Sequence, residues 1–248
     1  MKLSTLFLGA AAGAVLFSFV GCSASRVAMQ VPDDLQATTP LPVTGKQGFR
    51  YRYQFGEFST ASVHKGWRST TNHSFGKSVG FDATRVRQKS SFVMQPVQGT
   101  TWQAQSAYFM SDNDLGISTG AHSRTSVTLK SDEVFRSSIV ALNQPVWQLV
   151  VENHLGLGRG LQMPAGSFTN GDSVFTVRPI AHLMRRDGQP MRFPTGTPIG
   201  YEFVRANGSV VAAVELLGRG RVWLNPALQP ETKGPVVAAV TALLMHQR

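Results

Sequence analysis

The stretch Phe49-Arg50-Tyr51-Arg52-Tyr53-Gln54-Phe55 sets an aromatic ring at every second position. Successive side chains of a β-strand point to opposite faces, so this alternation predicts a strand with its rings on one face and Arg50, Arg52 and Gln54 on the other. Weaker strand patterns follow at 59–63, 85–94, 102–110, 125–130, 145–152 and 173–180, separated by clusters of Gly, Asn, Asp or Ser. Residues 200–224 read as a three-stranded antiparallel meander. In it, 200–205 and 210–217 flank Asn207-Gly208, a pair suited to the positive φ angles of a tight hairpin, and 221–224 follows Gly218-Arg219-Gly220. Beyond the meander, Pro235 suits a first helical position and 236–245 is apolar on nearly every side, which predicts a short buried helix covering a sheet. The expected fold is mainly β, an antiparallel sandwich or a partly open barrel with a short C-terminal helix; α+β is the alternative.

A chain of 248 residues suits one large domain or two small ones, and 42% hydrophobic against 15% charged residues is enough apolar material for a core. No repeat of fixed period appears, which weighs against propellers and solenoids. Glycines crowd 153–172, marking either a long loop or a break between subdomains.

The N-terminus carries Lys2, an apolar run of 15 residues from Leu6 to Val20, and then Gly21, Cys22 and Ser23. A helix needs about 20 apolar residues to cross the hydrocarbon of a bilayer, so the run reads as an export signal rather than a permanent span. Cys22 is the single cysteine, which rules out an intramolecular disulfide. Phe19-Val20-Gly21-Cys22 resembles the lipobox of bacterial lipoprotein precursors, with Phe19 where that family usually has Leu, Val or Ile. The resemblance covers residues 1–22. It implies cleavage before Cys22, diacylglycerol on its thiol, acyl chains such as palmitate, and, from Ser23, sorting to the outer membrane. The domain reading is then a signal peptide at 1–21, a lipid-anchored tether at 22–46 carrying Pro32, Pro40 and Pro42, and a β-rich domain at 47–248.

Motifs for chemistry are scarce. No Gly-x-Ser-x-Gly turn is present, and Cys22 is unavailable as a nucleophile once acylated or removed. Gly156-Leu157-Gly158-Arg159-Gly160-Leu161 lacks the last glycine of a dinucleotide fingerprint and reads as a loop. Asp112-Asn113-Asp114-Leu115-Gly116 starts like a calcium loop, but Ser123 stands where the closing glutamate belongs, so a turn is the expected role. Glu152 and His154, two apart, would share a strand face as an acid/base or ligand pair, or would form a polar strand end. With Asp172 they are the first residues to inspect for an enzyme. No metal or cofactor is expected.

Charge is the compositional anomaly. The formal net charge is +10, and residues 46–100 hold nine Lys and Arg against two Asp and Glu. Arg50 and Arg52 share one predicted strand face; Arg85, Arg87 and Lys89 share another. Trp67 stands between Lys65 and Arg68, either as a stacking surface for a sugar ring or as a core residue. An exported protein meets envelope polyanions rather than nucleic acid, so the expected partners are the membrane, through the N-terminal lipid, and an anionic envelope polymer or another envelope protein. The functional expectation is a non-enzymatic binding or assembly module with a basic face made by Arg50, Arg52, Lys65, Trp67, Arg68, Arg85 and Arg87. The alternatives are a periplasmic hydrolase or carbohydrate-modifying enzyme whose residues meet only in space, and a structural subunit bearing an apolar patch or an open strand edge.

Overall fold

The computed structural model describes residues 28–47, 50–75, 79–120, 123–156, 165–185, 188–191, 195 and 197–246. The strands are β1 (Ala28–Met29), β2 (Leu41–Pro42), β3 (Thr44–Gln47), β4 (Arg50–Phe55), β5 (Phe58–Lys65), β6 (Ser69–Phe75), β7 (Val79–Pro96), β8 (Trp102–Gly120), β9 (Ser123–Val140), β10 (Trp147–Gly156), β11 (Ala165–Thr169), β12 (Val174–Ile180), β13 (Leu183–Met184), β14 (Gly200–Arg205), β15 (Val210–Glu215) and β16 (Arg221–Leu224); helix α1 is Pro230–His246. The protein is mainly β, as its alternating segments require.

One antiparallel sheet runs β2-β16-β15-β14-β12-β11-β10-β9-β8-β7-β5-β4-β3, with β6 paired to β7 beside that path. Its two ends meet in one extended segment. Leu41 pairs with Val222 of β16, the Val43 amide donates to the Gly220 carbonyl at 3.1 Å, and Gln47 pairs with Arg50 of β4. The sheet therefore curls into a nearly closed barrel. The β4–β5 seam is short, with the pairs Gln54–Ser59 and Phe55–Phe58 before the Thr60 hydroxyl takes over, accepting from the Tyr53 amide at 2.8 Å.

Helix α1 fills the barrel. Every residue from Pro235 to Met245 is buried, and a helix that is apolar all round can be stable only where every side meets other apolar groups. The strands supply them from their inner faces: Tyr53, Phe55, Phe92, Met94, Phe135, Ile139, Leu149, Phe168 and Phe203 all join this core. Trp147 stacks on Phe168 at 4.7 Å, and Phe168 meets Phe203 edge-on at 5.8 Å. Each large apolar side chain buried here contributes about 1.5–3 kcal/mol. Outward positions along the barrel stretch of β7 to β9 are mixed, with Arg87, Lys89, Ser91, Gln105 and Arg136 set among Val93, Phe109 and Val134. Among the described residues no helix is long and apolar enough to cross a membrane.

Four expectations need correction. Helix α1 starts at Pro230, and Pro235 lies inside it; Pro230 occupies the first helical position, and the polar 230–234 turn hid the start. Residues 28–46, expected as tether, belong to the fold. Met29 and Leu35 pack with Ile199, Val204, Val210, Ala213 and Trp223 in a second core on the outer face of β14–β16. A few well-spaced apolar side chains suffice there, helped by hydrogen bonds from the Met29 amide to Glu215 (2.8 Å) and from the Val210 amide to Asp34 (2.6 Å). Asp112-Asn113-Asp114 is not a turn: it lies within β8, with a register shift between Asn113 and Asp114. Finally, β10 and β11, on either side of 157–164, pair with each other in the same sheet, so 153–172 marks no break between subdomains.

Strands β7, β8 and β9 are 18, 19 and 18 residues long and outrun the helix. His246 stacks on Phe135 and meets the Tyr108 ring at a tilt at the last turn of α1, yet β8 continues from Tyr108 to Gly120. With β6 they form a four-stranded extension beyond the barrel.

Candidate functional site

Inward residues fix the outer face of the sheet. Phe92, Met94, Ala104, Ser106, Phe135 and Ser137 are buried, so their strand neighbours Lys89, Ser91, Gln105, Ala107, Arg136 and Ser138 point outward. Ladder register then places Lys89, Ala107 and Arg136 in one cross-strand row, and Ser91, Gln105 and Ser138 in the next. Two long cations thus flank an alanine, and the row beside them is small or polar. The result is a depression of about 580 Å³ with His64, Lys89 and Arg136 around small side chains.

Gly66 forms one edge. There the chain steps from β5, which pairs with the far half of β7, to β6, which pairs with the near half. The Gly66 amide donates to the Lys89 carbonyl at 2.8 Å, Gln88 Nε2 donates to the Gly66 carbonyl at 2.9 Å, and a Cβ on Gly66 would stand 2.9 Å from the Lys89 oxygen. Only a residue without a side chain fits this close approach. Trp67 follows at once and is 98% exposed, so it is not a core residue.

The residues singled out from sequence separate into groups. Lys65, Trp67 and Arg68 sit at the β5-to-β6 step around Gly66 but do not line the depression, and Lys65 pairs across the ladder with Ser90, on the opposite strand face from His64 and Ser91. Arg85 and Arg87 are exposed on the outer face of β7, continuing the line of Lys89, with the Arg87 guanidinium 5.6 Å from the Phe109 ring. The Arg68 guanidinium lies 5.9 Å from the ring of the inward Tyr108, so it turns away from the depression. Arg52 is exposed on β4, one strand beyond β5, and stands apart from the β7 cations. The side chain of Arg50, and Cys22 altogether, lie outside the described residues. Arg136 and His64 complete the depression, and only cross-strand register reveals them.

A second polar cluster lies next to it on β9 and β10. Asp132 and His154 are register partners, with Nδ1 of His154 2.9 Å from Oδ1 of Asp132. Glu152 Oε2 is 3.5 Å from His154 Nε2, Arg136 reaches Glu152 at 3.4 Å, and Lys130 reaches Asp132 at 2.6 Å. The Lys130 hydrogen bond, then that of His154, holds Asp132 below the usual carboxylate range; the Asp132 hydrogen bond, with Glu152 adding, raises His154 above an ordinary imidazole. Glu152 and His154 do share a face. Asp172 does not join them: its amide donates to Asn170 Oδ1 at 3.2 Å in the turn between β11 and β12. Among the described residues no hydrogen bond links His64 or His154 to a serine hydroxyl, and no group of three or more His, Cys, Asp or Glu is placed to hold a metal ion.

Exposed ion pairs of this kind contribute at most about 1 kcal/mol. Arg136, shared with Glu152 at 3.4 Å on an open surface, is therefore easily handed over to an incoming anion. Compared with protein-family models, curated proteins and solved structures, the chain matches none.

Proposed function

We propose that this chain is a lipid-anchored protein of the bacterial outer membrane, attached through Cys22, that holds an anionic saccharide polymer of the envelope against its outer face without breaking bonds in it. The observation that carries the reading is the Lys89–Ala107–Arg136 row. An alanine between two cations leaves room for a phosphate or carboxylate to accept hydrogen bonds from both, and the bare indole of Trp67 offers a ring-sized apolar face beside it. Arg85 and Arg87 extend the positive strip along β7. The interior is filled by α1, which leaves the outer surface as the place for a ligand.

The test is binding of the acylated protein to purified lipopolysaccharide and to peptidoglycan fragments as salt is raised. Lys89→Gln with Arg136→Gln is expected to weaken binding roughly five- to tenfold and to flatten its salt dependence, since each surface charge contributes at most about 1 kcal/mol. Unchanged binding, in this pair or in a variant with Arg50, Arg52, Arg85 and Arg87 replaced by Gln, overturns the reading.

The Asp132–His154–Glu152 cluster favours a second reading, hydrolysis of an envelope glycan with Glu152 and His154 as acid and base. Release of reducing ends from peptidoglycan that disappears in Glu152→Gln would support it over binding alone.

A further inference from the structure

The far end of the four-stranded extension carries a feature that the basic groove does not use. Phe75 pairs with Phe81, Phe81 with Leu115, and Leu115 with Val127, so four strands contribute one continuous apolar row. Phe81 has the same parity as the outward Arg85 and Arg87, which puts the row on the outer face. Phe75 is 66%, Phe81 58% and Val127 49% exposed. At about 4.8 Å between strands the row is roughly 14 Å long. Single exposed apolar residues are ordinary; an unbroken line of them with two phenyl rings marks a contact surface.

From this row, together with the point where the chain enters the fold, we infer that the tip of the extension seats on the lipid bilayer, with Phe75 and Phe81 at the boundary between headgroups and acyl chains. The inference rests on the reading of Cys22 as the acylated residue. Ala28 is the first described residue, and Met29 is bonded to Glu215 at the end of β15. That is the end of the barrel where α1 finishes, since Gly220, five residues on, lies against Leu244. The extension leaves the barrel from the same end, past His246. Distances agree as well. Ala28 is six Cα steps from Cys22, a reach of about 20 Å, and seven residues of β8 carry Leu115 about 23 Å beyond Tyr108. A lipid on Cys22 and the apolar row can thus enter one bilayer together.

Charge follows the same order. One row back toward the barrel lies Lys130, opposite Asn113, and the next holds Arg85, Ser111 and Asp132, with Asp132 2.6 Å from Lys130. Beyond that pair Arg85 and Arg87 stand about 14–20 Å behind the rings, on the side where anionic phosphates overlie an acyl region. The opposite end of the barrel also exposes Leu142 (86%) and Val97 (80%), each on its own loop, but the chain does not enter there.

Trp probes decide the matter in the acylated full-length protein, reconstituted into vesicles of phosphatidylethanolamine and phosphatidylglycerol brominated on the upper acyl carbons. Phe81→Trp and Val127→Trp are expected to lose roughly half of their added emission relative to wild type, as rings seated about 5–10 Å deep should. Leu142→Trp is expected to stay bright. Quenching of Leu142→Trp with Phe81→Trp bright reverses the orientation and overturns the inference. So does a Phe81→Trp emission that shifts blue with protein concentration and not with lipid, which would put a second copy on the row. An N-terminal peptide without acyl mass overturns the anchor and this inference together; a bright Phe81→Trp ring on protein of acylated mass overturns this inference alone.

Discussion

Gly234 lies so close to the indole of Trp102 that a Cβ on it would stand 2.3 Å from Nε1 and 3.0 Å from Cδ1. The contact locks the first turns of α1 against the start of β8. Two effects compete in Gly234→Ala: alanine gains about 1 kcal/mol of helix propensity, while overpacking against a rigid ring costs about 1–3 kcal/mol. Trp102 is buried and cannot swing away, so the clash wins. Urea unfolding is expected to show Gly234→Ala less stable by up to about 2 kcal/mol, and a double-mutant cycle with Trp102→Ala to show strong non-additivity.

Glu215 is 3% exposed and accepts from the Met29 amide at 2.8 Å, from Arg221 Nε at 2.5 Å and from the Arg221 terminal nitrogen at 2.9 Å. Removing the guanidinium leaves a buried carboxylate with one donor. Arg221→Met is expected to cost about 1–3 kcal/mol, less than a fully buried pair because the arginine is 37% exposed. Glu215→Ala should in addition release the amide of Met29, read as faster hydrogen exchange across 28–36.

Thr60 is almost fully buried and its hydroxyl serves the Tyr53 amide where the β4–β5 ladder stops. Thr60→Val keeps the shape and deletes the acceptor, stranding a buried N–H. A loss of about 1–3 kcal/mol is expected, whereas Thr60→Ser, which keeps the oxygen, should recover most of it. Equal losses in the two variants would assign the role to packing.

The His154–Asp132 pair makes a prediction about pH. His154 is raised, so its contribution to stability is complete below its unfolded value of about 6.5 and is lost as pH climbs through the folded value. Asp132 is lowered, so its contribution is present above about 3.9 and is lost as pH falls through the folded value. The pair thus works between those limits. NMR titration of the His154 ring should give a midpoint above 6.5, and Asp132→Asn should bring it back toward that figure.

Much of the barrel is written in local pattern. Tyr53 and Phe55 are buried as their alternation demands, Asn207-Gly208 makes the β14–β15 hairpin with Gly208 at φ +86°, and 236–245 is interior because it is apolar all round. Of the extension, 125–130 reads as a strand and lies in β9, while the rest escaped for a physical reason. Strands such as 69–75 are exposed throughout, so no buried face imposes a period of two, and Asp112-Asn113-Asp114 resembles a turn when its partners are unknown. Long-range pairing decides the site in the same way. Arg85, Arg87 and Trp67 stand out by residue type, but Arg136 joins Lys89 only through the register of β7, β8 and β9.

The position of α1 has a consequence for how the barrel assembles. The segment that zips the sheet shut, Leu41–Gln47, and the helix that the inner faces of β7, β8, β9 and β15 pack on stand far apart along the chain. Without the helix the sheet would be wrapped around nothing. Most contacts join residues distant in sequence, which slows folding. Deleting α1 from Pro230 onward therefore removes the nucleus of the interior rather than trimming an appendage.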